Sequence, residues 1–345
     1  MPLTQVQPGM LGTPQPYNFK NRIINGAMVV NQRGGTVTSA SGGTYGVDRF
    51  AIYSNGGGVL TAVQSSTVPT GQGFVNSNLL TVTTADSSIA SSDFYSYAQA
   101  IEGYNIADLQ WGTASAKTIT LSFWVNSSIT GLFAVALINA DGSRCYPATY
   151  TITSANTWQQ ITLTVAGDTG GTWGTTNGQG ILVRYDLGSG SNVNGTANTW
   201  NTAGSFVGAR TSSTVNWISN SGATFYITGV QLEQGVTATS FDVRSYGTEL
   251  GLCQRYYVGL LEYWFTVGAD PSYPTGNYGG LPWSYQMRTT PSVVIASGGM
   301  TGHHAIAPSA TTGAINGVAL TFSGSAYRSG VSTSANVALT LSAEL

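Results

Sequence analysis

Between Tyr263 and Tyr285 the chain reads YWFTVGADPSYPTGNYGGLPWSY, with seven aromatic side chains. Flat rings match the apolar C–H faces of pyranose sugars, and neighbouring Asn, Asp, Arg or Gln can fix the hydroxyls. The middle of the stretch, 268–282, is rich in Gly and Pro and reads as loop. Tyr273, Tyr278, Trp283 and Tyr285 are therefore candidate glycan or receptor contacts at a loop tip, with Trp173 and Trp200 as a second candidate patch. Packing in a core or between subunits is the simpler use of the same rings.

Covalent and acid–base chemistry finds less to work with. The sequence holds no GxSxG elbow, HExxH helix, phosphate-binding loop, GxGxxG turn or EF-hand loop. His303 and His304 are the two histidines. Adjacent strand residues point to opposite faces, so they cannot easily share a metal or a substrate. A glycan-cleaving enzyme needs two carboxylates about 5–10 Å apart. The acids here, such as Asp141, Asp168, Asp186 and Asp270, stand singly in turns. The sequence therefore assigns no catalytic residue and no cofactor, and the chain reads as a non-enzyme. Asp168, in Gly-Asp-Thr-Gly-Gly, reads as a turn residue, with a bound cation as the alternative. Cys145 and Cys253 are far apart and lack zinc spacing; they read as buried thiols, and a bridge between them stays open.

Composition bounds the class. The chain has 345 residues, of which 8% are charged against a usual figure of about 25%. Net charge is −2, from 12 basic and 14 acidic residues with no basic cluster, which argues against a nucleic-acid partner. Aromatic residues are 11%, so a core can form and disorder is disfavoured. The longest clear apolar run, Phe133 to Ile138, is far short of the roughly twenty residues of a membrane helix, so no membrane insertion is expected. The opening MPLTQVQPGM lacks the charged and apolar regions of a signal peptide, so synthesis in a cytoplasm without export is expected.

The elements that would position these residues are strands. Lys117 to Asn126 (KTITLSFWVN) sets Ile119, Leu121, Phe123 and Val125 on one face, a period of two. Gly131 to Asn139 follows and closes at Ala140-Asp141-Gly142, a hairpin cue. Asn21 to Val30, Arg49 to Tyr53, Asn78 to Thr84, Trp158 to Val165, Gly180 to Asp186 and Ala223 to Glu233 also read as strands, the last with Gly229 as a bulge. Residues 188–212 read as a polar loop. Residues 247–257 give the one helix, with Thr248 as its cap and Leu250, Cys253 and Tyr257 as its stripe. Beyond it, strands are expected at Leu260–Val267, Trp283–Met287, Val293–Ala296, Val318–Phe322 and Val337–Leu341. The whole reads as all-β: an extended Pro- and Gln-rich arm at 1–25, a jelly-roll β-sandwich at 26–246, and a short linking helix opening a smaller β-sandwich at 247–345.

Several strings resemble a group of bacteriophage virion proteins known as tail fibres or fibre-tip proteins. They are Asn21–Arg33 (NRIINGAMVVNQR) with Tyr45–Phe50; Thr157–Gln160 with Val165–Thr169 and Gly171–Trp173; Thr224–Glu233 (TFYITGVQLE) with Ala238–Arg244, Tyr246–Leu250 and Cys253–Tyr257; and, more weakly, Met287–Val293. The resemblance implies a carbohydrate-binding-module-like jelly roll over about 45–245 and a trimer carried on a virion. It implies a tail fibre or receptor-binding protein that attaches to host-surface polysaccharide, with residues 1–25 docking on a neighbouring virion protein. A capsid decoration or head-fibre protein is the alternative, and a glycan depolymerase the more distant one. No motif of the family is catalytic.

Overall fold

The structure is a computed structural model and describes residues 20–40, 42–267, 277–282, 286–300, 307–314, 317–323 and 333–345. Residues 1–19 of the expected arm therefore lie outside the described residues, as do Asp270, Tyr273, Trp283, Tyr285, His303 and His304.

Twelve strands build the larger sandwich: β1 (Thr36–Thr38), β2 (Gly42–Tyr45), β3 (Ala51–Asn55), β4 (Val59–Ser65), β5 (Ser77–Thr84), β6 (Phe94–Glu102), β7 (Ile119–Ser127), β8 (Gly131–Ile138), β9 (Cys145–Ile152), β10 (Gln159–Val165), β11 (Gln179–Ser189) and β12 (Thr224–Gln234). They divide into two six-stranded sheets, ordered β1-β4-β5-β12-β7-β10 and β2-β3-β6-β11-β8-β9. Apart from the hairpins β2–β3, β4–β5 and β8–β9, successive strands cross between the sheets, which makes the sandwich a jelly roll.

The core lies between them. Ile119, Leu121, Phe123 and Val125 of β7 are buried on one face, as the alternation requires. Phe123 meets Tyr150 and Tyr185 of the opposite sheet edge-on, at 5.2 and 5.1 Å. That geometry places the positive ring edge against a negative face. The Asp-Gly hairpin forms as expected: β8 pairs with β9 from Ile138 opposite Cys145, and Gly142 turns with φ +70°. Gly229 interrupts the β12–β7 register at φ +61°, and a Cβ there would stand 2.6 Å from the Phe74 ring. The bulge expected from sequence is thus a place where only glycine fits.

Four expectations need correction. Asn21–Val30 is buried but forms no strand; the left-handed turns at Asn25 and Met28 break it, and its polar backbone is taken by side chains instead. The helix α1 runs Tyr246–Gln254, and its cap is Ser245, whose hydroxyl accepts from the Thr248 backbone N–H. Tyr257 is not on its stripe, because it opens the next strand. The stretch 268–282 is not all loop, since Asn277–Pro282 is a strand.

After α1 come β13 (Tyr257–Val267), β14 (Asn277–Pro282), β15 (Ser292–Met300), β16 (Ala307–Ala314), β17 (Gly317–Ser323) and β18 (Thr333–Ser342). They form two three-stranded sheets, β13-β18-β15 and β14-β17-β16. Met287, expected in a strand, lies outside one and is buried against Val258 and Leu341. No helix among the described residues is long and apolar enough to cross a membrane.

Two of the strings quoted above, Asn21–Arg33 with Tyr45–Phe50 and Thr224–Glu233 with its continuation to Tyr257, meet at one junction. Asn21 donates its amide to the Val230 carbonyl and accepts from Leu232 N, so it continues β12 in place of a strand. Arg244 donates to the Ile23 carbonyl, and Glu249 accepts from Asn25 N. Arg255 and Tyr256 donate to Glu102 on β6. Asp48 and Arg49 do not pair with each other. Asp48 accepts from Gln32, while Arg49 stacks 3.5 Å over the Tyr256 ring and pairs with Glu344.

Candidate functional site

The outer face of the second sheet carries a cleft. On β11, Ile181, Val183 and Tyr185 point into the core, so alternation turns Leu182, Arg184 and Asp186 outward. Arg184 lies opposite Ala98 of β6 and Ala136 of β8. These two methyl side chains leave room above the sheet. The resulting cleft, of about 720 Å³, has Arg184 in its floor and Tyr53, Phe94 and Phe206 among its walls. Gln179, Asn192, Ser96 and Ser205 line it too and bring amides and hydroxyls.

The wall opposite the sheet is the polar loop after β11. Arg210 holds it: its guanidinium donates to the carbonyls of Ser189 and Thr214, to the Thr214 hydroxyl and to the Asn216 amide oxygen. Phe206 N donates to the Gly142 carbonyl, tying the loop to the β8–β9 turn. Ser205 and Phe206 both adopt left-handed backbone, at φ +51° and +62°. For residues with a Cβ this costs roughly 1–2 kcal/mol each. The loop holds Phe206 there, 37% exposed at the cleft.

The electrostatics are uneven. Arg184 is 6% exposed, its Nε and Nη2 find no hydrogen-bond partner among the described residues, and it sits 5.0 Å over the Phe94 ring. Burial pulls its guanidinium below the ordinary arginine range, with Asp186 acting against this. Asp186 is itself engaged: Arg210 lies 3.5 Å away and Ser189 donates to it at 2.7 Å. Burial pushes the Asp186 carboxyl up, and Arg210 opposes the shift. No side chain lining the cleft carries a carboxylate, so the pair a glycosidase needs is not in its walls.

The sequence-predicted residues lie elsewhere. Tyr278 is on β14, opposite Thr321. Trp173 and Trp200 come together, 5.5 Å apart and nearly perpendicular, and a third indole, Trp111, meets them at 4.7 and 5.4 Å. Trp173 is buried and donates to Asp168 and the Gly170 carbonyl; Trp200 is half-buried and donates to the Ala166 carbonyl. Asp168 also accepts a two-pronged pair from Arg144, with Nε at 2.6 Å, and the Gly170 N–H. Its oxygens thus hold a guanidinium, an indole and a turn amide. Among the described residues no cluster of His, Cys, Asp or Glu could hold a metal. Cys145 and Cys253 are free and buried in separate apolar clusters.

The cleft residues escaped the sequence reading. One signal was available: Arg184 and Asp186 put two charges at successive outward positions of a strand whose inward face is apolar.

No protein-family model matches the chain, and no curated protein matches it. Among solved structures it is similar to the enzymatically active domain of tailspike protein 4 of bacteriophage CBA120, at 13% identity and TM-score 0.33, over 63% of this chain and 22% of that one. It is similar to a family 11 carbohydrate-binding module of a Clostridium thermocellum cellulase, at 14% identity and TM-score 0.29, over 58% and 99% of the two chains. It is also similar to the N-terminal cellulose-binding domain of Cellulomonas fimi β-1,4-glucanase C, at 13% identity and TM-score 0.24, over 59% and 91%. At these identities and scores the likenesses assign no activity, ligand or partner to this chain.

Proposed function

We propose that this chain is a non-catalytic, glycan-binding attachment protein of a bacteriophage virion. The observation that carries glycan binding is the cleft on the second sheet, with its three ring-bearing walls and its amides and hydroxyls. Its volume falls within the roughly 300–1,000 Å³ of small-molecule sites. Rings supply stacking surface, and amides and hydroxyls supply orientation. The virion assignment rests on the family-like strings, two of which meet at the junction. On this reading the chain is made in the host cytoplasm and acts as a homotrimer. Residues 1–25 dock on a neighbouring virion protein, and the part beyond residue 247 is distal. Attachment is weak per site and multivalent.

The test is adsorption competition. Labelled protein is added to host cells, which are then challenged with phage. Saturable binding that blocks infection is the expected result. A folded protein that neither binds cells nor competes would overturn the attachment role and favour a capsid decoration protein.

A further inference from the structure

We propose that the cleft takes an acidic saccharide, with the carboxylate of the sugar seated against Arg184; this rests on the glycan-binding reading above. The argument is one of charge balance. Two guanidiniums, Arg184 and Arg210, share one carboxylate, Asp186; Arg210 forms the ion pair at 3.5 Å, and Asp186 Oδ2 makes no hydrogen bond to either. Arg210 spends its other donors on loop carbonyls and side-chain oxygens. Arg184 forms no ion pair among the described residues, and two of its nitrogens are without partners. A buried cation outside any ion pair is costly to keep; Leu182, Ala98 and Ala136 flank it on the sheet, and Asp186 is its other outward neighbour on β11. A structural role would be served as well by leucine or methionine. The position makes sense once an anion arrives from outside, and a guanidinium fork matches a carboxylate.

The rest of the cleft says what carries that anion. A lone inorganic ion would leave most of the 720 Å³ unfilled. Tyr53, Phe94 and Phe206 offer ring faces, and Gln179, Asn192 and Ser96 offer groups that meet hydroxyls. Sugar rings bearing a carboxylate, such as hexuronates, sialic acids or pyruvylated hexoses, use every one of these features.

The experiment measures binding of the full chain to a panel of acidic oligosaccharides of those three types and their neutral counterparts, by calorimetry, for the parent, R184Q and R184M. Acidic members are expected to bind at least tenfold more tightly than their neutral counterparts. Both substitutions should abolish that preference, and raising the salt should weaken acidic binding in the parent alone. Equal binding of acidic and neutral members, or a preference that survives R184Q, overturns the role of Arg184 and leaves glycan binding standing. If no member binds a protein that melts cooperatively, both readings fall. Thermal melting without ligand supplies the control: R184M should melt at or above the parent temperature. A fall of more than about 4 °C, on the scale of 1 kcal/mol or more, would mark Arg184 as a structural cation and overturn the proposal.

Discussion

Arg144 and Arg184 stand at neighbouring places on one sheet, the first just before β9 and the second within β11. Arg144 closes a circuit: its fork grips Asp168, which also takes Trp173 and Gly170. Arg184 leaves its circuit open, over a ring, beneath a cleft and without an acid of its own. The same side chain is thus a rivet in one region and an unfilled valence in the other. Saturation of hydrogen bonds marks the tryptophan corner as framework, and its lack marks the cleft as a place built for something else.

That contrast can be broken most strongly at the closed circuit. D168A leaves Arg144 without its anion and Trp173 and Gly170 N without an acceptor, so it should cost about 3 kcal/mol, read from denaturant unfolding. A loss under about 1 kcal/mol would show the corner to be no rivet. G171A acts on the same pair. Gly171 turns at φ +72°, and a Cβ there would collide with the Arg144 side chain. Strain and overpacking together predict a loss of about 2 kcal/mol. At the open cleft the effect moves from stability to binding: F206A should weaken oligosaccharide affinity roughly fivefold, the equivalent of about 1 kcal/mol. Unchanged affinity would remove Phe206 from the site. The smallest effect concerns Cys145, between the two regions. Burial pushes its thiol up to about 12. Neither it nor Cys253 should react with a disulfide reagent at pH 8 until the chain is unfolded, and a fast native reaction would place one of them at the surface.

The sequence made parts of this arrangement readable for a simple reason. β7, β8, β11 and β12 keep apolar residues on their inward face, and alternation alone finds them. β6, β4 and β9 went unread. In FYSYAQAIE the inward residues include Tyr95, Tyr97 and Gln99, letters that do not look like a core until Asn78 is found bonded to the Tyr97 hydroxyl and the Ile24 backbone to Gln99. The cleft was hidden by the same strand, since β6 supplies Phe94, Ser96 and the small Ala98 of its floor. Its parts lie far apart in sequence, at Tyr53, Phe94, Arg184 and Phe206, and none is unusual alone. The rings of the Tyr263–Tyr285 stretch are close together in sequence and so stand out there, whereas this site is assembled by pairing of distant strands. Trp173 and Trp200, named together as a candidate patch, do meet in the fold; their partner Trp111 needed the fold to be seen. The strand expected over Asn21–Val30 failed because its asparagines bond the backbone themselves, which hydrophobic spacing does not register.

The salt bridge from Glu344 to Arg49 also sets a timetable. Arg49 is wholly buried beside Tyr256, and its carboxylate partner lies 295 residues later. At about 5–20 residues per second of synthesis, the acid emerges roughly 15–60 s after the base it must neutralise. Until then the sandwich holds a cation with nowhere to discharge, so its early strands gain full stability only once the chain has been read through to β18. A ribosome that stalls before Glu344 should therefore carry a nascent chain that proteases cut readily, and emergence of Glu344 should harden it in a single late step.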